Sequence, residues 1–130
     1  MIVVDASVVL EVLLRTEAAE ALEERMLNPA ESMCAPHLLD IEVAQVVRRY
    51  CLLGETTSER GAEALRDLAD MAIERFPHAP FLPRIWQLRQ NLTAYDAAYV
   101  ALAETLGCTL LTRDQALAKS PIHTASVEVL

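Results

Sequence analysis

The sequence predicts an α/β protein, a three-layer sandwich in which a central, mostly parallel sheet of four to five short strands lies between helices. Short apolar segments alternate with longer segments of helical periodicity along the chain, an order typical of a parallel sheet covered on both faces. No internal repeat, linker or low-complexity stretch interrupts this alternation. A length of 130 residues suits one domain, so we expect residues 1–130 to form a single unit.

Strands are expected where short apolar and β-branched runs are bounded by turn-forming or charged residues. Ile2–Val4 is the clearest case, because three β-branched residues run directly into Asp5. Pro36 is expected to close the second strand, and the third is expected at an edge of the sheet. The predicted strands are Ile2–Val4, 32–35, 75–79, 108–112 and a final strand or strands within 122–125 and 127–129.

Helices are expected where apolar residues recur every three or four positions. Thr56 and Glu59 are spaced as a capping box, and Gly54 and Gly107 follow the last turns of two helices. Trp86 lies among the apolar residues of its helix and is expected in the core. The predicted helices are 8–14, 16–27, 37–53, 56–74, 80–92, 93–107 and 115–119.

Composition narrows the class of protein. Eleven basic and nineteen acidic residues give a net charge of −8, whereas a nucleic-acid binder is usually basic. An acidic enzyme still binds RNA where metal ions neutralise its site and arginines are grouped locally. The apolar runs are too short to cross a bilayer, and the early Asp5 argues against a secretory signal. Three widely spaced cysteines without a C-x-x-C pair predict reduced thiols, and therefore a cytoplasmic protein.

Several common catalytic motifs are missing from the sequence. Three glycines cannot build a G-x-x-x-x-G-K-[ST] phosphate loop or a G-x-G-x-x-G dinucleotide motif. There is no G-x-S-x-G nucleophile elbow, and the three histidines lack zinc-site spacing. Any chemistry must therefore come from other residues, and carboxylates are the candidates.

Four carboxylates stand out by their positions. Asp5 and Asp114 each follow an apolar strand, where open parallel sheets place their ligand sites. Glu42 and Asp96 lie on or beside the inward-facing stripes of helices. Three of the four also have an ordinary interpretation, because Asp5 and Asp114 are suitable N-caps and Asp96 follows Thr93 at capping-pair spacing. A carboxylate at the edge of a core-facing stripe, such as Glu42, is costly unless it is paired or bound to a metal.

In an α/β fold these four carboxylates could converge on one pocket above the sheet. Packed together they repel one another, and some would hold protons above neutral pH unless a cation were present. One or two Mg²⁺ or Mn²⁺ ions resolve this most simply, because hard cations prefer oxygen ligands. Such a metal eases the deprotonation of water and stabilises the charge on a phosphoryl group. The pattern therefore predicts metal-assisted hydrolysis of a phosphodiester.

The acidic positions and their neighbours resemble the PIN-domain family over the whole chain. Within that family the sequence is similar to the VapC-type toxins of bacterial toxin–antitoxin pairs. The residues that carry the resemblance are Asp5-Ala6-Ser7, Glu42 in the second major helix, the stretch 95–103 around Asp96, and Thr112-Arg113-Asp114.

The resemblance implies a PIN-like sandwich and a Mg²⁺- or Mn²⁺-dependent endoribonuclease. By it, Asp5, Asp96 and Asp114 would hold the metal. Glu42 would complete the acidic cluster and help to activate the attacking water. Supporting hydrogen bonds would come from two hydroxyls, those of Ser7 and Thr112.

The resemblance also implies partners besides the RNA substrate. Members of the family typically form homodimers, and a cognate VapB-like antitoxin holds the toxin inactive. Its C-terminal segment wraps the toxin and often inserts an arginine into the acidic site, where charge-assisted pairing would favour it. The net charge of −8 suits such a basic inhibitory segment.

Three alternatives stay open at this point. A phosphatase or phosphotransfer domain also places an aspartate after its first strand, but it needs a second aspartate where Ser7 stands and a well-placed lysine, and the only lysine is Lys119. A catalytically silent PIN-fold interaction module would be favoured by the loss of acidic residues, yet all four are present. A nuclease acting on DNA is compatible with the metal chemistry, because that chemistry does not require a 2′-hydroxyl.

Overall fold

The computed structural model describes residues 1–120 and 123–130, and it confirms the predicted α/β class. In these residues five strands form one parallel sheet with the spatial order β3-β2-β1-β4-β5. The strands are β1 (Ile2–Val4), β2 (Met33–Pro36), β3 (Ile73–Phe76), β4 (Thr109–Thr112) and β5 (Val127–Val129).

Strand β1 lies at the centre of the sheet, because its three apolar residues suit burial on both faces. Ile2 pairs with Met33 of β2 on one side and with Thr109 of β4 on the other. All three side chains of β1 are buried. Since β1 and β4 run parallel, their carboxyl ends meet at the same edge of the sheet. The residues that follow these two strands are therefore neighbours in space.

Helices flank the sheet, and the sixth of them is the most deeply buried. Every residue from 97 to 103 in that helix is buried, and it packs against β1, β2 and β4. No helix within the described ranges is long and apolar enough to span a membrane. The helices are α1 (Ala6–Leu13), α2 (Ala19–Met26), α3 (Leu38–Leu52), α4 (Ser58–Asp70), α5 (Leu82–Gln87), α6 (Ala94–Leu106) and α7 (Gln115–Lys119), with a 3₁₀ turn at Ala79–Phe81.

Helices α3 and α4 pack closely against each other at Gly61. A Cβ atom at this position would lie 2.9 Å from Cys51 Sγ and 3.0 Å from Val47 Cγ1 of α3. Both distances are shorter than ordinary van der Waals contact, so the missing side chain allows the two helices to pack at this separation.

The boundaries of α4 differ from the prediction at both ends. Thr57, not Thr56, is the N-cap, because its side chain accepts a hydrogen bond from Arg60 N at 3.1 Å. The helix ends earlier than predicted, because the backbone of Met71 is already extended. Strand β3 therefore begins two residues before its predicted start, and it lies at the edge of the sheet, as predicted.

The prediction that Trp86 lies in the core is wrong. The residue is 67% exposed on α5, and Leu88, just beyond the helix, is fully buried instead. Because α5 has only six residues, it presents little more than one turn toward the core. The Arg89 guanidinium lies 4.4 Å from the centroid of the Trp86 ring, so the exposed indole is paired with a cation.

Two strand limits also differ from the prediction. Strand β2 continues through Pro36, because the following amide, His37 N, donates to Phe76 O at 2.8 Å and extends the ladder to β3. The final strand is β5 alone, since residues 123–126 have no regular secondary structure. Ile122, which was predicted to begin a strand, lies outside the described residues.

Candidate active site

A pocket of about 540 Å³ opens where β1 and β4 end, and its walls include all four carboxylates singled out in the sequence. Asp5 and Asp114 follow the two strands, whereas Glu42 comes from α3 and Asp96 from α6. The other lining residues carry no charge: Ala6, Ser7, Leu10, Ile41, Gln45, Val46 and Tyr95. The pocket therefore concentrates negative charge within a neutral, partly apolar surround.

Asp5 is the most deeply buried of the four carboxylates, with 9% of its surface exposed. Its backbone N–H donates to Leu111 O at 3.0 Å and so continues the β1–β4 ladder past the end of β1. Oδ1 accepts a hydrogen bond from Ser7 N at 3.1 Å, which caps α1. Oδ2 accepts one from the Thr112 hydroxyl at 2.7 Å. Asp5 therefore serves as a cap and also lines the pocket.

The hydroxyls of Ser7 and Thr112 connect the two strand ends. Thr112 Oγ1, which donates to Asp5, accepts a hydrogen bond from Asp114 N at 3.0 Å. Ser7 Oγ accepts one from Arg113 N at 3.0 Å and lies 3.5 Å from Thr112 Oγ1. These bonds fix the turn after β4 against the first turn of α1, and thereby set the relative positions of Asp5 and Asp114.

Asp114 is the most exposed of the four carboxylates. Its Oδ1 accepts a hydrogen bond from Ala116 N at 2.8 Å and caps α7, as its spacing predicts. Because Asp114 also lines the pocket, its capping role and its place in the acidic cluster coexist.

Asp96 lies in the first turn of α6, where Thr93 is the N-cap. Thr93 Oγ1 accepts a hydrogen bond from Asp96 N at 3.1 Å, as the spacing of the two residues predicts. Burial raises the pKa of the Asp96 carboxyl, and the charges of Asp5 and Asp114 raise it further. Because these carboxylates line the same pocket, their negative charges repel one another.

Glu42 reaches the pocket from α3 and is half-buried. Burial is the main cause that raises the pKa of its carboxyl, and the charges of Asp5 and Asp96 add to it. The Tyr99 hydroxyl is close enough to oppose this rise in pKa, yet Glu42 Oε1 and Tyr99 Oη are both buried without a hydrogen-bond partner in the described residues. Glu42 Oε1 is therefore a buried acceptor without a hydrogen-bond donor among the described residues.

The chemistry of the pocket fits a hard divalent cation. All its charged donors are carboxylate oxygens, which Mg²⁺ and Mn²⁺ prefer over nitrogen or sulfur. A cation would lower the repulsion that raises the pKa values of Glu42 and Asp96, and it would offer a partner to the orphaned Glu42 Oε1. Within residues 1–120 and 123–130 no three His, Cys, Asp or Glu side chains are arranged to hold a metal as they stand. A metal would therefore require the carboxylates to draw closer together.

Some residues of this region were not singled out in the sequence. Ile41 and Tyr95 line the pocket although both are strongly exposed, and Tyr99 is buried close to Glu42. The i, i+3 spacing from Asp96 to Tyr99 was the available sign that the two share a face of α6. Asp40, two residues before Glu42 on α3, lies on another face of the helix, and its Oδ1 pairs with Arg75 Nη2 at 2.9 Å.

The parallel sheet and the carboxylates gathered beyond its central strands identify the chain as an α/β domain with an acidic pocket at the carboxyl edge of its sheet. Within that class the family model of the PIN domain matches residues 2–121. The chain belongs to the PIN-domain family.

Relatives and solved structures agree with this assignment. Ribonuclease VapC9 of Mycobacterium tuberculosis is 44% identical over 114 residues, which cover 88% of this chain and 86% of the relative. The crystal structure of PAE2754 from Pyrobaculum aerophilum superposes with a TM-score of 0.75 at 20% identity, covering 98% of this chain and 83% of that one. VapBC2 from Rickettsia felis, bound to a DNA fragment from its promoter, gives a TM-score of 0.70 at 12% identity and covers 99% of this chain and 98% of that one. At these identities the two structures show the shared fold.

Proposed function

We propose that this protein is a Mg²⁺- or Mn²⁺-dependent endoribonuclease that acts as the toxin of a toxin–antitoxin pair. The observation that carries the proposal is the gathering of Asp5, Glu42, Asp96 and Asp114 in one pocket. The relationship to a protein named ribonuclease VapC9, at 44% identity, supports RNA as the substrate. The proposal takes residues 1–130 as one PIN domain.

In this proposal Asp5, Asp96 and Asp114 hold the metal. A bound divalent ion makes water easier to deprotonate and stabilises negative charge on the phosphoryl group. Glu42 completes the cluster, and its carboxylate accepts the proton of the attacking water. Its place in the wall of the pocket supports this role, because a general base must lie within reach of the proton that it accepts.

Ser7 and Thr112 orient the carboxylates rather than take part in the chemistry. Thr112 donates to Asp5 Oδ2, which leaves that aspartate one fixed orientation at the strand end. Ser7 holds the backbone of Arg113, the residue before Asp114. Outer partners of this kind keep metal-binding side chains in place, and their loss typically reduces metal affinity or activity by about 10- to 100-fold.

In this proposal the protein is cytoplasmic. It forms a homodimer with a second copy of itself, and it binds a cognate VapB-like antitoxin. Four clustered carboxylates would attract an arginine from an inhibitory segment, and the net charge of −8 favours a basic partner overall. The fold shared with the VapBC2 complex is consistent with such a pairing.

The test is cleavage of total cellular RNA by the purified protein, free of any partner. We expect discrete fragments with Mg²⁺ or Mn²⁺, and none with EDTA or with Asp96→Asn. Asp70→Asn is the matched control, because Asp70 is exposed at the end of α4 and does not line the pocket. Wild-type cleavage rates in Asp96→Asn would contradict the four-carboxylate site.

Three other outcomes separate the alternatives. Metal-dependent cutting of single-stranded or duplex DNA, with RNA left intact, would identify a DNA nuclease. Absence of cleavage together with absence of metal binding in calorimetry would identify a silent interaction module. Clear metal binding without cleavage of total RNA would direct the search to a narrower RNA substrate.

A further inference from the structure

The hydroxyl of Tyr99 is an unusual polar group in the core of this protein. Tyr99 lies in the middle of α6, is 1% exposed and ranks among the largest fully buried side chains. Its Oη atom is buried and has no hydrogen-bond partner in the described residues. A phenylalanine would fill the same space without burying an unpaired hydroxyl, which is costly. Packing alone therefore does not account for a tyrosine, rather than a phenylalanine, at this position.

The surroundings of the hydroxyl point to one acceptor. Burial is the main cause that raises the pKa of this hydroxyl, and the nearby charges of Glu42 and Asp5 add to it. Both oxygens of Asp5 are already engaged, Oδ1 by Ser7 N and Oδ2 by the Thr112 hydroxyl. Glu42 Oε1 is buried and has no partner among the described residues. The Tyr99 hydroxyl has one proton to donate, and an ionised carboxylate only accepts hydrogen bonds. Of these carboxylate oxygens, Glu42 Oε1 is therefore the available acceptor for that proton.

We infer that Tyr99 is a positioning residue that donates its hydroxyl proton to Glu42 Oε1 and so holds that carboxylate in place at the wall of the pocket. The inference rests on the proposed function for its effect on cleavage, but the contact itself does not. It links α6, which already supplies Asp96, to α3, which supplies Glu42. One helix would then place one carboxylate directly and a second through a hydrogen bond.

The kinetic test is a double-mutant cycle between Tyr99→Phe and Glu42→Ala, measured as single-site RNA cleavage. We expect Tyr99→Phe to lower kcat about tenfold with little change in KM, as the loss of an outer hydrogen bond does in other sites. In the Glu42→Ala background, Tyr99→Phe should have no further effect, because it acts through Glu42. Equal losses in both backgrounds, or an unchanged kcat for Tyr99→Phe, would overturn the inference.

Tyr50→Phe is the matched control for removing a phenol hydroxyl. Tyr50 lies on α3, is partly exposed and does not line the acidic pocket. We expect Tyr50→Phe to keep the wild-type kcat and KM. If it lowers kcat as Tyr99→Phe does, the effect belongs to the loss of any tyrosine hydroxyl and the positioning role is rejected.

A second measurement separates this inference from the proposed function, because it needs neither metal nor RNA. The same two substitutions are combined in a cycle of urea unfolding midpoints. We expect non-additive shifts, because the inferred hydrogen bond couples the two residues, whereas additive shifts would rule that bond out even if RNA is cleaved. If RNA is not cleaved at all but the shifts are coupled, the function fails and the Tyr99–Glu42 contact stands.

Nuclear magnetic resonance of the wild-type protein covers the case in which Tyr99→Phe does not fold. The hydroxyl proton of a buried, bonded tyrosine exchanges slowly enough to be observed. We expect one such resonance for Tyr99, and its loss in Glu42→Ala. The same resonance in Glu42→Ala would show that the proton goes elsewhere.

Discussion

The Thr112 hydroxyl donates a 2.7 Å hydrogen bond to Asp5 Oδ2 across 107 residues of sequence. The bond joins the ends of two adjacent parallel strands, and both residues are buried. It holds the Asp5 carboxylate in the wall of the pocket without adding charge. The acidic pocket therefore depends on a neutral side chain that is distant in sequence.

Thr112→Val is expected to reduce both stability and RNA cleavage, because valine keeps the shape but leaves Asp5 Oδ2 without its donor. The loss of stability should be about 1–3 kcal/mol, the usual cost of an unpaired buried acceptor. Urea unfolding and cleavage rates measure the two effects. Thr112→Ser keeps a hydroxyl and should retain most of both; if it behaves like Thr112→Val, the methyl group and not the hydrogen bond matters.

Glu42→Gln is expected to slow cleavage strongly and yet stabilise the metal-free protein. Burial and the charges of Asp5 and Asp96 oppose ionisation of Glu42, so a neutral side chain removes an unfavourable interaction. The free energy of unfolding should therefore rise at neutral pH. Glu55→Gln, at an exposed position, is the control and should change little. A loss of stability in Glu42→Gln would mean that the folded protein stabilises the negative charge of this carboxylate.

Mn²⁺ is expected to raise the thermal midpoint of the wild-type protein, because a ligand that binds only the folded state stabilises it. At a concentration of about 100 Kd the gain is roughly 2.7 kcal/mol. EDTA should reverse the shift and Asp5→Asn should abolish it, whereas Asp70→Asn should keep it. An undiminished shift in Asp5→Asn would place the metal outside the acidic pocket.

Glu104→Gln is expected to destabilise the protein at neutral pH and to have no effect in strong acid. Arg84 Nε and Nη2 donate to Glu104 Oε2 and Oε1 at 2.8 Å and 2.9 Å, and this pairing lowers the pKa of Glu104 below its ordinary value of 4.5. A lowered pKa contributes stability that is present above pH 4.5 and lost as the pH falls through the folded-state pKa.

The expected cost at neutral pH is about 1 kcal/mol, because Arg84 is partly exposed and solvent screens the pair. Urea unfolding of wild-type and Glu104→Gln across the acid range measures it. If the free energies of unfolding of the two proteins differ by the same amount at every pH down to strong acid, the ion pair contributes nothing to stability.

Gly61→Ala is expected to destabilise the protein, although alanine favours helices over glycine by about 1 kcal/mol. The new methyl group would meet Cys51 Sγ at 2.9 Å and Val47 Cγ1 at 3.0 Å and push α4 away from α3. Overpacking of this kind typically costs about 1–3 kcal/mol. Combining Gly61→Ala with Cys51→Ala should recover much of the loss, and a stabilised single variant would show that the helices separate easily.

The sequence was sufficient to predict features that depend on local pattern. The apolar triplet of β1 and the rule that parallel strands end together placed Asp5 beside the residues that follow β4. Capping geometry was predictable at Asp5, Thr93 and Asp114, because each cap depends on a neighbour two or three residues away. The catalytic and metal-binding roles of the carboxylates stay predictions.

Features set by packing between distant elements were not predictable. Helical periodicity predicts the face of α5 on which Trp86 lies. How deeply that face is buried depends on how α5 packs against α6, and Trp86 is exposed. The proximity of Tyr99 to Glu42 depends on how α6 lies relative to α3, which no spacing rule contains. The end of α4 depends on the pairing of β3 with β2, through which Ile73 meets Met33.

The position of β1 has a consequence for how the protein is made. Its residues leave the ribosome well before their partners in β4, which begin only at Thr109. Until that late segment emerges, the central strand lacks one neighbour and Asp5 lacks the hydroxyl of Thr112. Pairing across such a long separation closes a large loop and comes late in folding. Any activity that needs Asp5 and Asp114 together therefore begins only after β4 and the turn that follows it have been translated.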